Sequence, residues 1–406
     1  MLLEEISSGG YAFAISGTPG IGKSLFFVYL LHRFIVDSKL SFIPNRILYQ
    51  QGAKLKCFDL QKKIVTSDFD EDDYVWKDTT LYVIDGQHST PIPSSCITLL
   101  ITSPRSKDYK DFVKQKQAIE WYFPVWTLEE LNACRVLCYP DIRAEMLKER
   151  FQIYGGVARF VFQKRLSTRI MEVALTDVDA VSGVRNIGNP TNIFTTTHTL
   201  LHIIVSDDYQ FLHVDIASKY VGEQLWIRHS AQMLTNLTSL FGGSPSEISR
   251  HLFEIYGHVF FSAGGQTLKC KCLEDDSVTQ MTLDVLNSDR VTFGRDSIPT
   301  AEALQGKYYE PGDEDNFPAV DSITPQGMFQ FTVAATHPIR GVEILKKLCK
   351  LYDEPKLFFV VPPHRFDKFK KQELKSKEGS KDVEPIPNLK QYVLTLDILG
   401  DSNAKS

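Results

Sequence analysis

Gly17-Thr18-Pro19-Gly20-Ile21-Gly22-Lys23-Ser24 decides how the N-terminal half is read. The stretch before it, YAFAIS at 11–16, is short and apolar, as a buried strand is. The stretch after it, LFFVYLLHRFIV at 25–36, is apolar-rich and long enough for a helix. Strand, glycine-rich turn and helix in that order are the setting that GxxxxGK[ST] requires to hold phosphates. The glycines let backbone N–H groups curl inward towards phosphate oxygens, and the helix N-terminus adds partial positive charge. Lys23 then reaches the β- and γ-phosphates, and the Ser24 hydroxyl ligates Mg²⁺. ATP and Mg²⁺ are therefore the expected cofactors.

A phosphate loop of this kind needs an acid at the end of a neighbouring strand. LYVID at 81–85 supplies one, with four apolar positions and then Asp85. Where many such ATPases carry a glutamate next, this chain has Gly86, followed by Gln87 and His88. Either of those two side chains offers a way to orient water. The next apolar run, CITLLITS at 96–103, ends in Thr102 and Ser103, with Arg105 just beyond, candidates to sense the γ-phosphate. Arg159, after the glycine turn Gly155-Gly156, is a second candidate cation for phosphate.

Further strand candidates lie at 46–51 and in 55–66, while helical patterns dominate 105–175. This predicts an α/β P-loop NTPase domain over 1–200, with a parallel sheet and a helical tail. Residues 201–285 mix helical and β-rich pieces and read as a connector, either winged-helix-like or a plain helical linker. Residues 286–398 form a small α/β domain, with strands expected in FPAVDSI, MFQFTVAAT, KLFFVVP and QYVLTLDI and a helix in VEILKKLCKLYD.

Composition narrows the classes. The 406 residues are 43 % hydrophobic and 23 % charged, a globular balance that excludes wholesale disorder and a pure coiled coil. No apolar run reaches the ~18–20 residues of a membrane span, so no membrane partner is expected. The first ten residues, MLLEEISSGG, carry two glutamates where a secretion signal would be basic and then apolar. The chain starts almost on top of the loop motif, which suggests N-terminal truncation. Seven scattered cysteines without CxxC favour neither a disulfide framework nor a zinc site. A net charge of −5 gives no global pull towards nucleic acid, but Arg340–Lys381 holds twelve Lys/Arg against six Asp/Glu.

The order GTPGIGKS, YVIDG, ITSPR, PVWTLEEL and YGGVARFVF resembles the NTPase domain of Crinkler effectors, which are related to the retrotransposon hot spot proteins of trypanosomes. The later block FPAVDSI, GMFQFTVAATHPI and QYVLTL resembles the restriction-endonuclease-like domain that accompanies that NTPase. The LFLAK-type translocation domain with which Crinklers begin is not in this sequence. The resemblance implies an effector of oomycetes or fungi, secreted, translocated into host cells and often nuclear. It implies ATP hydrolysis and DNA cleavage leading to host cell death, with DNA and host nuclear factors as partners and self-association open.

The resemblance also implies a metal-dependent site in the C-terminal domain. Its superfamily places an Asp on one strand and acid-x-Lys on the next, the acids holding Mg²⁺ and the Lys activating water. Asp321 matches the first acid, and Gln330-Phe331-Thr332 stands where acid-x-Lys belongs. Gln330 offers a neutral oxygen ligand, and Thr332 cannot replace the lysine. His337, Glu310, Lys346 and Lys347 are the groups that would compensate. Two readings follow: a two-part enzyme in which ATP hydrolysis licenses DNA cleavage, or an ATP-gated switch with a degenerate DNA- or protein-binding C-terminal domain.

Overall fold

In the computed structural model the described residues are 1–67, 79–86, 92, 94–103, 107–163, 168–176, 199–229, 247–286, 290–312, 317, 319–375 and 385–396. The chain divides into two compact units, Met1–Val221 and Gly222–Ser406.

The first unit is built on a seven-stranded sheet. Its strands are β1 (Ala12–Gly17), β2 (Arg46–Gln51), β3 (Lys54–Asp59), β4 (Ile64–Thr66), β5 (Thr80–Asp85), β6 (Ile97–Ile101) and β7 (Ile119–Phe123), in the order β4-β3-β2-β5-β6-β1-β7. The stretch from β2 to β7 is parallel throughout, and β3 and β4 add an antiparallel edge. Parallel strands are covered on both faces, so β1 and β5 are buried at every position, as their unbroken apolar runs require. After α1 (Leu2–Ser7), helix α2 (Lys23–Val36) covers one face, packing Phe27, Leu30 and Phe34 on Phe13, Ile15, Val83 and Ile101. Helix α3 (Lys107–Lys116) covers the other with Tyr109 and Phe112, against Ala14, Tyr82 and Ile84.

Strand β7 interrupts the stretch expected to be helical. Ile119 and Trp121 alternate with Glu120 and Tyr122, a period of two, and Trp121 stacks on Phe13 at 5.7 Å. The helical tail follows as α4 (Leu128–Cys138), α5 (Ala144–Tyr154), α6 (Ala158–Val161) and α7 (Thr168–Thr176). A hairpin of β8 (Leu201–Val205) and β9 (Phe211–Ile216) completes the unit.

The second unit has α8 (Glu247–Ala263) and an eight-stranded mixed sheet. Its strands are β10 (Thr267–Cys272), β11 (Val278–Thr282), β12 (Arg290–Phe293), β13 (Tyr308–Pro311), β14 (Ser322–Thr324), β15 (Gly327–Phe331), β16 (Lys356–Val361) and β17 (Lys390–Thr395), in the order β11-β10-β17-β16-β15-β14-β13-β12. Helix α9 (Val342–Cys349) packs Leu345 and Leu348 on Ile323, Met328 and Phe359. On α8, Phe261 meets Phe329 and Phe331 edge-on, at 5.0 and 5.3 Å.

The segment expected to be a connector is divided between the units. The β8–β9 hairpin belongs to the first, while α8 and the β10–β11 hairpin belong to the second. Strand β10 bonds antiparallel to β17 and buries Leu268 and Cys270, which extends the expected four strands into a larger sheet.

Gly257, inside α8, lies so close to β15 that an added Cβ would stand 2.4 Å from the Phe331 ring. In an open helix Gly→Ala stabilises by about 1 kcal/mol. Here the sign reverses: Gly257→Ala is expected to destabilise by about 1–3 kcal/mol through overpacking. The urea midpoint checks this, and an unchanged or higher midpoint contradicts the packing.

Candidate functional site

The 17–24 loop joins the C-terminal end of β1 to the start of α2. Gly20 has φ +92°, and a Cβ there would stand 2.9 Å from Val157 Cγ1, so both the turn and its neighbour demand glycine. Gly22 caps α2 with φ +99° and offers no side-chain acceptor to the first N–H groups of the helix.

Lys23 is 9 % exposed, and its Nζ donates to the carbonyl oxygens of Gly17 and Thr18, both at 2.9 Å. Burial and then the Arg159 charge lower its pKa, against the pull of Asp85, to about 7. The Ser24 hydroxyl donates to Asp85 Oδ1 at 2.8 Å, across the sheet from α2 to the end of β5. The Tyr49 hydroxyl, on β2, donates to Asp85 Oδ2 at the same distance. Burial, and then this bond to Asp85, push the Tyr49 phenol well above its usual range. Its ring stacks on Phe27 of α2 at 4.2 Å.

Three downstream segments hold the loop. Arg159 N donates to Gly20 O at 3.0 Å, which sets the Arg159 side chain beside the loop. The Trp126 indole donates to Ile21 O at 2.7 Å. Trp126 immediately precedes α4, whose start is fixed by Thr127 and Glu130 in a reciprocal capping box. Ile203 N, on β8, donates to the Thr18 hydroxyl at 2.9 Å, inside the core. Tyr49, Trp126 and Ile203 escape sequence reasoning, because nothing in their spacing points at the loop. The reciprocal Thr127–Glu130 pattern was the one available signal for the position of Trp126.

Thr102 and Ser103 are buried beyond β6, and the Thr102 hydroxyl has no protein partner among the described residues. The same holds for Ser16 at the end of β1. Gln87, His88 and Arg105 lie outside the described residues.

The donor set fits a nucleotide and its magnesium. Lys23 would supply charge, the loop and helix start N–H groups, and Ser24 and Asp85 an oxygen pair for the metal. A hydroxyl rotates, so Ser24 can turn from Asp85 and present a lone pair while Asp85 keeps its charge.

The C-terminal candidates come together differently. Asp321 and Gln330 do lie side by side across the β14–β15 pair, as their spacing predicts. Gln330 Nε2, however, donates to both Asp321 oxygens, at 2.9 and 2.8 Å, and Phe331 N donates to Oδ2 at 2.6 Å. The amide thus turns its nitrogen to the carboxylate and is not arranged as a second oxygen ligand. The Thr332 hydroxyl accepts from Ala334 N. His337 sits apart, its backbone N–H bonded to Gln372, its ring 6.4 Å from that of Phe359. Burial, then Arg340 and Arg250, lower its pKa against the pull of Glu254. Glu310 is buried 3.5 Å from His258, and Lys346 pairs with Glu343 on α9. Among the described residues no three His, Cys, Asp or Glu side chains converge as a metal would need. These residues do not fit a divalent ion at Asp321.

Comparison with curated proteins places this pattern. Crinkler effector protein 16 of Phytophthora infestans is 28 % identical over 385 residues, 88 % of this chain and 60 % of the relative. Crinkler effector protein 15 of the same organism is 28 % identical over 386 residues, with the same coverage. The chain is similar to these Crinkler effector proteins over most of its length. No family model matches it. The chain spans 60 % of the length of these relatives.

The Lys23 environment gives a pH signature. Its folded pKa of about 7 lies below the ordinary 10.5. The unfolded chain therefore binds more protons between those values, and stability rises with pH across that window. Below pH 7 the cost of the buried charge is fully present. A phosphate ligand restores the ammonium form, so nucleotide binding at pH 8 is expected to take up about one proton. Calorimetry in two buffers of different ionisation enthalpy measures this. Lys23→Arg should abolish the uptake, and buffer-independent heats in the wild type would contradict the Lys23 assignment.

Proposed function

We propose that the first unit is a P-loop NTPase domain that binds ATP with Mg²⁺, within a Crinkler-type secreted effector that acts in host cells. The observation that carries this reading is the Ser24–Asp85 bond beside the buried Lys23. It brings Lys23, Ser24 and Asp85 together at the ends of β1 and β5, as a magnesium–phosphate site would need, although Ser24 and Asp85 stand 61 residues apart. Gly17, Thr18, Pro19, Gly20, Ile21 and Gly22 would wrap the phosphates, with Arg159 as the second cation. The family resemblance supports delivery into the host cell, the host nucleus as the site of action and promotion of cell death. Among the described residues no helix is long and apolar enough to cross a membrane.

For the C-terminal unit the geometry favours the second reading, a nucleotide-gated binding module. Asp321 is occupied by N–H donors, and the lysine of acid-x-Lys is replaced by Thr332. Exposed cations, Arg340, Lys347, Lys350, Lys368, Lys370, Lys371 and Lys375, support DNA as its ligand through phosphate contacts.

DNA binding by the full chain should weaken steeply with salt, and Mg²⁺ should produce no plasmid nicking with or without ATP. Nicking that requires Mg²⁺ and disappears in Asp321→Ala would restore the nuclease reading. For the first unit, Lys23→Ala should lose ATP binding while the far-ultraviolet spectrum stays unchanged.

A further inference from the structure

A water that attacks a terminal phosphate is oriented by a hydrogen-bond acceptor near the metal-directed acid. The position after Asp85 cannot supply one, because it is Gly86. On one flank of Asp85 the in-register residue is Ile101, a buried hydrocarbon. On the other flank it is Gln51, the last residue of β2. Parallel neighbours lie ~4.8 Å apart, within reach of a glutamine side chain.

The faces of β2 are settled by its bonds. Tyr49 turns its hydroxyl to Asp85. Gln50 turns the opposite way, donating to Gly52 O at 3.1 Å and accepting from the Tyr82 hydroxyl. Strand alternation then puts Gln51 on the Tyr49 face, where Ser24 meets Asp85. Gln51 is exposed, and its amide makes no hydrogen bond among the described residues. The two adjacent glutamines thus differ: one is locked into the sheet, the other free at the strand end.

We infer that Gln51 is the catalytic residue that orients the attacking water for ATP hydrolysis, an inference that rests on the P-loop reading. Its side-chain oxygen accepts a hydrogen bond from the water. The water oxygen bonds to the γ-phosphorus as the bond from that phosphorus to the β–γ bridging oxygen breaks, giving ADP and inorganic phosphate. An amide cannot keep a proton at neutral pH, so the proton of the water leaves on phosphate or to solvent. Orientation without a base implies slow turnover, which suits a switch.

The test measures ATP affinity and ATP turnover in parallel on the full chain. Gln51→Ala should bind ATP as the wild type does, yet turn it over about 10²-fold more slowly. Gln51→Glu should keep turnover and add an acid limb to the pH profile, because an ionised carboxylate accepts more strongly and can also take the proton of the water, and both are lost when it is protonated. Wild-type turnover in Gln51→Ala overturns the inference, as does loss of turnover in Gln87→Ala or His88→Ala while Gln51→Ala is unaffected. A wild-type chain that binds ATP without hydrolysing it also overturns the inference but leaves the nucleotide reading standing. A chain that binds no ATP overturns both.

Discussion

A lysine ammonium inside a protein is costly unless oxygen atoms surround it, and Lys23 makes its hydrogen bonds to two backbone carbonyls of its own loop. That constraint organises the first unit. The loop curls around the ammonium by taking positive φ at Gly17, Gly20 and Gly22, where a side chain would be strained. A loop so curled offers its outer edge to neighbours. The Arg159 backbone and the Trp126 indole satisfy its outward carbonyls, while Ile203 N takes the Thr18 hydroxyl. The helical tail and the β8–β9 hairpin are therefore part of the loop's support, although they follow it by more than a hundred residues.

The two units use aspartate in opposite ways. Asp85 accepts from the hydroxyls of Ser24 and Tyr49, which rotate and can give way to a cation and its water. Asp321 accepts from a backbone N–H and a side-chain amide, and the backbone donor cannot turn aside. The first arrangement would leave room for a cation. The second fastens β14 to β15.

The order and type of elements near the 17–24 loop are legible in the sequence because parallel strands buried on both faces appear as unbroken apolar runs. β1, β5 and β6 fall within a residue or two of where YAFAIS, LYVID and CITLLITS place them. Strand β7 is not legible, since IEWYF sits among helix-forming, lysine-rich neighbours and becomes a strand only by pairing with β1. The same holds for β12 and β13, four-residue pieces outside the expected strands that pair with each other and, through β13, with β14. In the site, Lys23, Ser24 and Asp85 are legible because the GxxxxGK[ST] motif and the strand-end acid fix residue type and spacing. Tyr49 and Trp126 act through geometry alone. Asp321 beside Gln330 is legible as a pair, but which atom of the amide faces the acid is set by the bonds available locally.

If the buried Lys23 and the Ser24–Asp85 pair form a nucleotide site, ligand binding must stabilise the fold that contains them. The most direct measurement is the thermal midpoint of the full chain titrated with ATP, with and without Mg²⁺, beside the same titration of Asp85→Asn. The account predicts a midpoint that climbs with ATP concentration, climbs further with Mg²⁺ in the wild type, and loses the Mg²⁺ increment in Asp85→Asn. A midpoint indifferent to ATP, or a Mg²⁺ increment that survives in Asp85→Asn, would contradict it.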